Sequence, residues 1–137
     1  MSAAPFVFQS RIRFVDTDAS GRIHFAAMLR HFEAAEEEFL RRIGCPYQSI
    51  EDRKMGYPRV HVECDYLAAL RYDDVAAIEV RVERVGNSSF TLGFLVRRDG
   101  EDAAKGKIVV VAMDRESGRS RALPEKLAEI LRQRMGE

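Results

Sequence analysis

Seven apolar side chains, Phe25, Met28, Leu29, Phe32, Ala35, Phe39 and Ile43, recur at helical spacing over residues 25–43, and no other feature of the chain limits its fold as much. Arg30, Glu33, Glu37 and Arg41 take the opposite face. Gly44, with Pro46 shortly after it, supplies the stop signal. An amphipathic helix this long, with Phe25, Phe32 and Phe39 on one side, needs a broad apolar surface to lie against.

Downstream segments offer that surface. Val60, Val62, Cys64 and Tyr66 alternate with Arg59, His61, Glu63 and Asp65, the pattern of a half-buried strand. Strand-like segments follow at 75–85, 89–97 and 103–113, and the second alternates through Phe90, Leu92, Phe94 and Val96. Gly86-Asn87 and Asp99-Gly100 sit between them as hairpin turns. Ahead of the long helix, Phe6-Val7-Phe8 through Ile12 and Phe14 reads as another strand. Pro124 lies in the first turn of a short terminal helix over 124–134. The order is strand, long helix, four strands, short helix. It predicts an α+β fold, with one helix on one face of an antiparallel sheet of about five strands. With no repeat, low-complexity stretch or linker in sight, residues 1–137 are expected to form a single domain.

Composition narrows the partners. Twenty-two basic residues balance twenty-two acidic ones, so no bulk field draws the chain to nucleic acid or to an anionic membrane. No apolar run is long enough to span a bilayer, and the first residues lack a signal-peptide pattern. Cys45 and Cys64 are isolated, as expected of reduced thiols in a cytoplasmic protein that serve as packing residues.

The chemistry concentrates in Asp16-Thr17-Asp18-Ala19-Ser20-Gly21-Arg22-Ile23-His24-Phe25. Here a strand ends in two acidic residues and a Gly-containing loop leads into the long helix. A carboxylate is thereby placed beside helix-start N–H groups that lack intrahelical partners and suit a developing oxyanion. A thioester hydrolase needs both parts: a carboxylate to attack or to activate water, and donors to polarise the carbonyl. No metal or organic cofactor is required, because a thioester is already activated. No Gly-x-Ser-x-Gly elbow, phosphate loop, dinucleotide fingerprint or metal-ligand spacing competes with this reading.

Asp16-Thr17-Asp18-Ala19-Ser20-Gly21, followed by Ile23-His24-Phe25 and Arg30-His31-Phe32-Glu33-Ala34-Ala35, resembles the 4-hydroxybenzoyl-CoA thioesterase-like family, as does Arg71-Tyr72-Asp73-Asp74-Val75. The likeness covers nearly the whole chain. It implies the hotdog fold, a long helix wrapped by a curved antiparallel sheet, and an acyl-CoA thioesterase activity. It further implies that Asp18 is catalytic and that the backbone amide at Phe25 polarises the carbonyl. Homodimers with sheets joined edge to edge, often paired into homotetramers, with active sites at the dimer interface, are implied as well. Relatives often carry a His where Phe25 stands, whereas His24 lies one place earlier. Some bind CoA phosphates through a basic turn between the middle strands. Here that turn is Gly86-Asn87-Ser88, with only Arg84 near it, and Arg97, Arg98, Arg119 and Arg121 are other candidates.

Each candidate also has a plainer role. Asp18 is a capping type of residue, and Asp16 suits a structural hydrogen bond. His24 titrates in a useful range for a base, while His31 and His61 read as helix-surface and strand-surface residues. Glu33, at the site margin, is an alternative base, although the run through Glu36, Glu37 and Glu38 reads as a solvated face. Met28, Phe32 and Tyr57 are expected to line a substrate pocket, the first two on the core face of the helix. Two rival functions share the fold: a non-catalytic module binding acyl-CoA or acyl carrier, and an enoyl-CoA hydratase-like enzyme.

Overall fold

In the computed structural model of the protein, which describes residues 4–50 and 54–135, the alternating segments form one five-stranded sheet. Its strands are β1 (Phe6–Arg11), β3 (Arg59–Tyr66), β4 (Val75–Val85), β5 (Ser89–Arg98) and β6 (Glu101–Val111). A two-residue strand β2 (Met55–Gly56) pairs separately with β7 (Met113–Asp114), a ladder too short to show as periodicity. The helices are α1 (Ala27–Arg42), α2 (Tyr47–Ile50) and α3 (Glu125–Arg134).

Spatial order in the sheet is β1-β4-β5-β6-β3, and every neighbouring pair is antiparallel. The turn from β5 to β6 holds Asp99 at φ 52° and Gly100 at φ 80°, the left-handed pair that a tight hairpin requires. Register shifts leave an extra residue in β3, β4 and β6. Such irregularities bend a strand and increase its twist, which lets the sheet curl about a helix.

Helix α1 buries Ala27, Met28, His31, Phe32, Ala35, Glu36, Phe39 and Leu40. Phe32 lies flat on Phe94 of β5, ring centroids 4.5 Å apart. Gly106 of β6 makes that approach possible: a Cβ there would sit 2.8 Å from the Phe32 ring and 2.3 Å from the Glu63 carbonyl. Phe39 meets Phe6 of β1 edge to face at 5.7 Å. Helix α3 closes against β4 through the buried Leu127, Ala128 and Leu131. Each fully buried apolar side chain of this size contributes roughly 2 kcal/mol. No helix among the described residues is long and apolar enough to cross a membrane.

Four local readings change. Strand β1 stops at Arg11 and does not reach Phe14, because the Arg13 N–H donates to Asp16 Oδ2 (2.8 Å) and residues 14–16 close into a tight 3-10 turn that leaves Phe14 exposed. Helix α1 begins at Ala27, two residues after Phe25. His24 intervenes, its carbonyl accepting the Ala27 N–H (2.9 Å) and its Nδ1 accepting the Ala26 N–H (3.1 Å). His31 is buried, not a helix-surface residue, and Glu36 is 1% exposed, not part of a solvated face. Both lie on the stripe that meets the sheet. Finally, Val60 and Val62 of β3 are 60% and 42% exposed, since β3 is the outer strand at one edge of the sheet.

Candidate active site

The acidic loop is held from below by a buried cluster. Asp16 Oδ2 accepts the Arg13 N–H and lies 2.9 Å from His31 Nε2, while Arg30 approaches Oδ1 at 3.6 Å. On the other side of the imidazole, Nδ1 is 2.6 Å from Ser10 Oγ. The ring satisfies both contacts: Nε2–H donates to the carboxylate, and Nδ1 either accepts the Ser10 hydroxyl or, when it carries a proton, donates to the Ser10 oxygen. Burial pushes the Asp16 carboxyl up, but the Arg13 and His31 hydrogen bonds and the charges of His31 and Arg30 outweigh it and hold the group below its ordinary value. The Asp16 carbonyl takes the His24 N–H at 2.7 Å, so Asp16 ties the loop to the helix start through both backbone and side chain.

Above this anchor the chain makes a small hairpin. Thr17 bridges Ile23, the Asp18 N–H donates to the Arg22 carbonyl (3.0 Å) and the Gly21 N–H to the Asp18 carbonyl (2.9 Å). Gly21, at φ 79°, occupies the left-handed region that glycine enters without steric penalty. Asp18 stands exposed at the turn. Its Oδ1 accepts both the Ser20 N–H (2.8 Å) and the Ser20 hydroxyl (2.6 Å), and its Oδ2 has no hydrogen-bond partner among the described residues. The two Ser20 hydrogen bonds keep this carboxyl below its ordinary range, so it is ionised at neutral pH.

Asp18 and Phe25 line one open groove of about 320 Å³, together with Ser20, Arg22, Ile23 and residues 66–70. The Phe25 side chain is exposed and stacks on the His24 ring at 4.5 Å. Its carbonyl accepts a hydrogen bond from the Tyr66 hydroxyl, which pins the peptide at the helix start. The Ala26 N–H is taken by His24 and the Ala27 N–H by the His24 carbonyl, whereas the Phe25 N–H has no partner among the described residues. One groove thus contains an ionised carboxylate with a free oxygen and an amide free to donate.

The remaining candidates lie elsewhere. His24 is half-buried with Nδ1 engaged, and Glu33 is exposed on α1, away from the groove lining. Met28 and Phe32 are sealed in the core, and Tyr57 packs edge to face on Tyr47 at 6.1 Å; none of the three lines the groove of the single chain. Arg84 is exposed at the register shift of β4. Glu36 forms a separate buried cluster, 2.5 Å from Arg59 Nη2 and accepting from the Tyr47 hydroxyl at 3.3 Å. Burial pushes its carboxyl up despite Arg59. Tyr66 and His31 carried signals that the alternation and the helix stripe contained: Tyr66 closes the β3 pattern beside the loop, and His31 sits between Met28 and Phe32 on the buried face.

Residues 12–131 match the family described as the thioesterase-like superfamily. A 1,4-dihydroxy-2-naphthoyl-CoA hydrolase from Synechococcus sp. (strain CC9605) is 36% identical over 91% of this chain and 89% of that protein. The crystal structure of a protein from Aquifex aeolicus is similar with a TM-score of 0.86 at 30% identity, covering 93% of this chain and 99% of that one. A gentisyl-coenzyme A thioesterase is similar with a TM-score of 0.83 at 25% identity, covering 92% and 99%.

Proposed function

Because the chain belongs to the thioesterase-like superfamily, whose members named above include hotdog-fold thioester hydrolases, we propose that it hydrolyses an acyl-CoA to a free acid and CoA, with Asp18 and the Phe25 N–H as the reacting pair. The observation that carries this reading is the half-engaged carboxylate. Ser20 fixes Oδ1 of Asp18 and leaves Oδ2 with a free lone pair, in the same groove as the unpartnered Phe25 amide.

The thioester carbonyl oxygen accepts the Phe25 N–H. As the carbonyl carbon becomes tetrahedral, negative charge collects on that oxygen, where the amide and the positive end of α1 stabilise it. The Phe25 amide gives up no internal hydrogen bond to do so, and Tyr66 holds the peptide from its carbonyl side. Asp18 Oδ2 either attacks the carbonyl carbon, forming a mixed anhydride that water then cleaves, or takes a proton from the water that attacks. Both routes expel the thiolate, which leaves as CoA after gaining a proton. One turnover in ¹⁸O-labelled water separates them, since only the anhydride route can place label in Asp18.

The exposed Val60 and Val62 on the open edge of β3 support a homodimer formed edge to edge there, with pairing of dimers giving a homotetramer. The substrate pocket is then completed at the junction, next to Tyr66 and Leu67. Sedimentation at micromolar concentration tests this, and a stable monomer would refute it.

Thiol release from a panel of acyl-CoAs, followed with a thiol-trapping dye, tests the activity. Binding with no thiol released would make the chain an acyl-CoA binding module. An absorbance change at an enoyl group without free thiol would make it a hydratase.

A further inference from the structure

We propose that Arg22 and Arg71 form the subsite that takes the phosphate groups of CoA, an assignment that rests on the acyl-CoA reading above. The two residues face each other in an isolated antiparallel bridge, and both are exposed. Residues directly opposite in an antiparallel pair project to the same face with Cβ atoms about 5 Å apart, and like charges placed there repel.

The nearby acids do not relieve that repulsion. Asp73 pairs with Arg11 at 3.1 Å, and Asp74 pairs with Arg98 at 3.2 Å while accepting the backbone N–H of Arg71 at 2.8 Å. The Asp18 carboxylate is turned to Ser20. Among the described residues, neither the Arg22 nor the Arg71 guanidinium has a carboxylate within 4.0 Å. Two arginines on facing residues, neither guanidinium paired with a carboxylate among the described residues, match a phosphate, which accepts paired N–H donors and cancels their mutual repulsion.

Position ties the anion to the substrate. Arg22 lines the groove that holds Asp18 and Phe25, and Arg71 directly follows residues 66–70, the wall of that groove. The Asp18 N–H donates to the Arg22 carbonyl at 3.0 Å, so the pair stands beside the reacting carboxylate, and a pantetheine arm with its thioester at Asp18 folds back along this wall to bring a phosphate to it. Arg84, by contrast, does not line the groove.

The test compares kcat/KM for one acyl group carried on CoA and on pantetheine, which lacks phosphates. The wild-type chain prefers the CoA ester. Arg22→Gln and Arg71→Gln each cut the preference, by roughly tenfold for a lost charge-assisted contact. The change falls on KM more than on kcat. Raised salt erodes the preference of the wild type and leaves the double variant little changed. Calorimetry with adenosine 3′,5′-bisphosphate reads the subsite without turnover: tight binding by wild type and weak binding by the double variant support it. A chain that binds this nucleotide through the two arginines yet releases no thiol would refute hydrolysis and leave the subsite standing. A double variant whose preference for CoA is unchanged would overturn the subsite, as would a loss of preference in Arg84→Gln instead.

Discussion

Asp16 and Asp18 stand two residues apart in one loop, and their surroundings could hardly differ more. Asp16 is buried, with both oxygens approached by donors: Arg13 and His31 at one, Arg30 at the other. Asp18 is exposed, with one oxygen engaged by Ser20 and the other free. Both carboxyls are held below their ordinary range, Asp16 by contacts that outweigh its burial and Asp18 by two hydrogen bonds from its near neighbour. A depressed pKa by itself therefore distinguishes nothing here. Exposure does, because Asp18 stands open on the groove with one oxygen free, whereas Asp16 is buried beneath the loop and can anchor it but cannot reach a substrate.

The sharpest break of this comparison is a pair of Asn substitutions. Asp18→Asn lowers kcat on the order of a hundredfold or more, the usual range for loss of a base or nucleophile, with the urea midpoint unchanged. Asp16→Asn does the reverse, lowering stability by about 2 kcal/mol through loss of charge-assisted contacts, with a smaller effect on kcat in the fraction that remains folded. If the two variants exchange phenotypes, the roles argued here are wrong.

His31 comes next. His31→Leu leaves Ser10 and one side of Asp16 without a buried partner and lowers stability by about 2 kcal/mol in denaturant titration. His31→Gln, which can accept from Ser10 and donate to Asp16, recovers a good part of that. Equal losses in both variants would mean that packing, not hydrogen bonding, accounts for the effect.

Acid titration separates the two aspartates further. The folded-state value of Asp16 lies below the ordinary 3.8, so the unfolded chain binds more protons through that range. The stability that Asp16 contributes is present at higher pH and is lost as pH falls through the depressed value. Asp16→Asn shows no such acid loss. For the same reason the acid limb of kcat/KM, set by Asp18, falls below 3.8 in the wild type. A limb well above that value would show that a group other than Asp18 sets it.

Ser20→Ala gives the smallest change. Losing the hydroxyl that donates to Oδ1 lets the Asp18 carboxyl rise toward its ordinary value. The acid limb moves up in pH, and turnover at neutral pH changes only modestly. A stopped assay across pH 3 to 8 resolves the shift.

What could be read in advance follows the range of the forces involved. The meander was legible because alternation and the Asp99-Gly100 turn are local: a period of two and a left-handed pair act within a few residues. The helix face was legible from Met28 to Phe39 for the same reason. The start of that helix was not, since His24 captures the Ala26 and Ala27 amides and holds Phe25 outside. His31 and Glu36 look like surface residues by type, and only partners far along the chain reveal otherwise: Asp16 and Ser10 for one, Arg59 and Tyr47 for the other. The acidic loop could be recognised from its residues, but which oxygen of which aspartate remains available depends on Ser20 and Arg13 geometry that no pattern of residue types encodes.

The order of strands in the sheet sets an order of assembly. Strands β4, β5 and β6 are joined by short hairpins, so their pairing closes small loops early. Strand β1 instead pairs with β4 across about half of the chain, Phe6 opposite Val80, and must wait until that distance is closed. The acidic loop hangs between β1 and α1, and its anchor includes Ser10 on β1 itself. The site is therefore the last part of the molecule to form and the first to come apart. A brief detachment of one peripheral strand would erase the catalytic arrangement while the meander stayed intact, and amide exchange would record it as fast opening of β1 beside slow opening of β5.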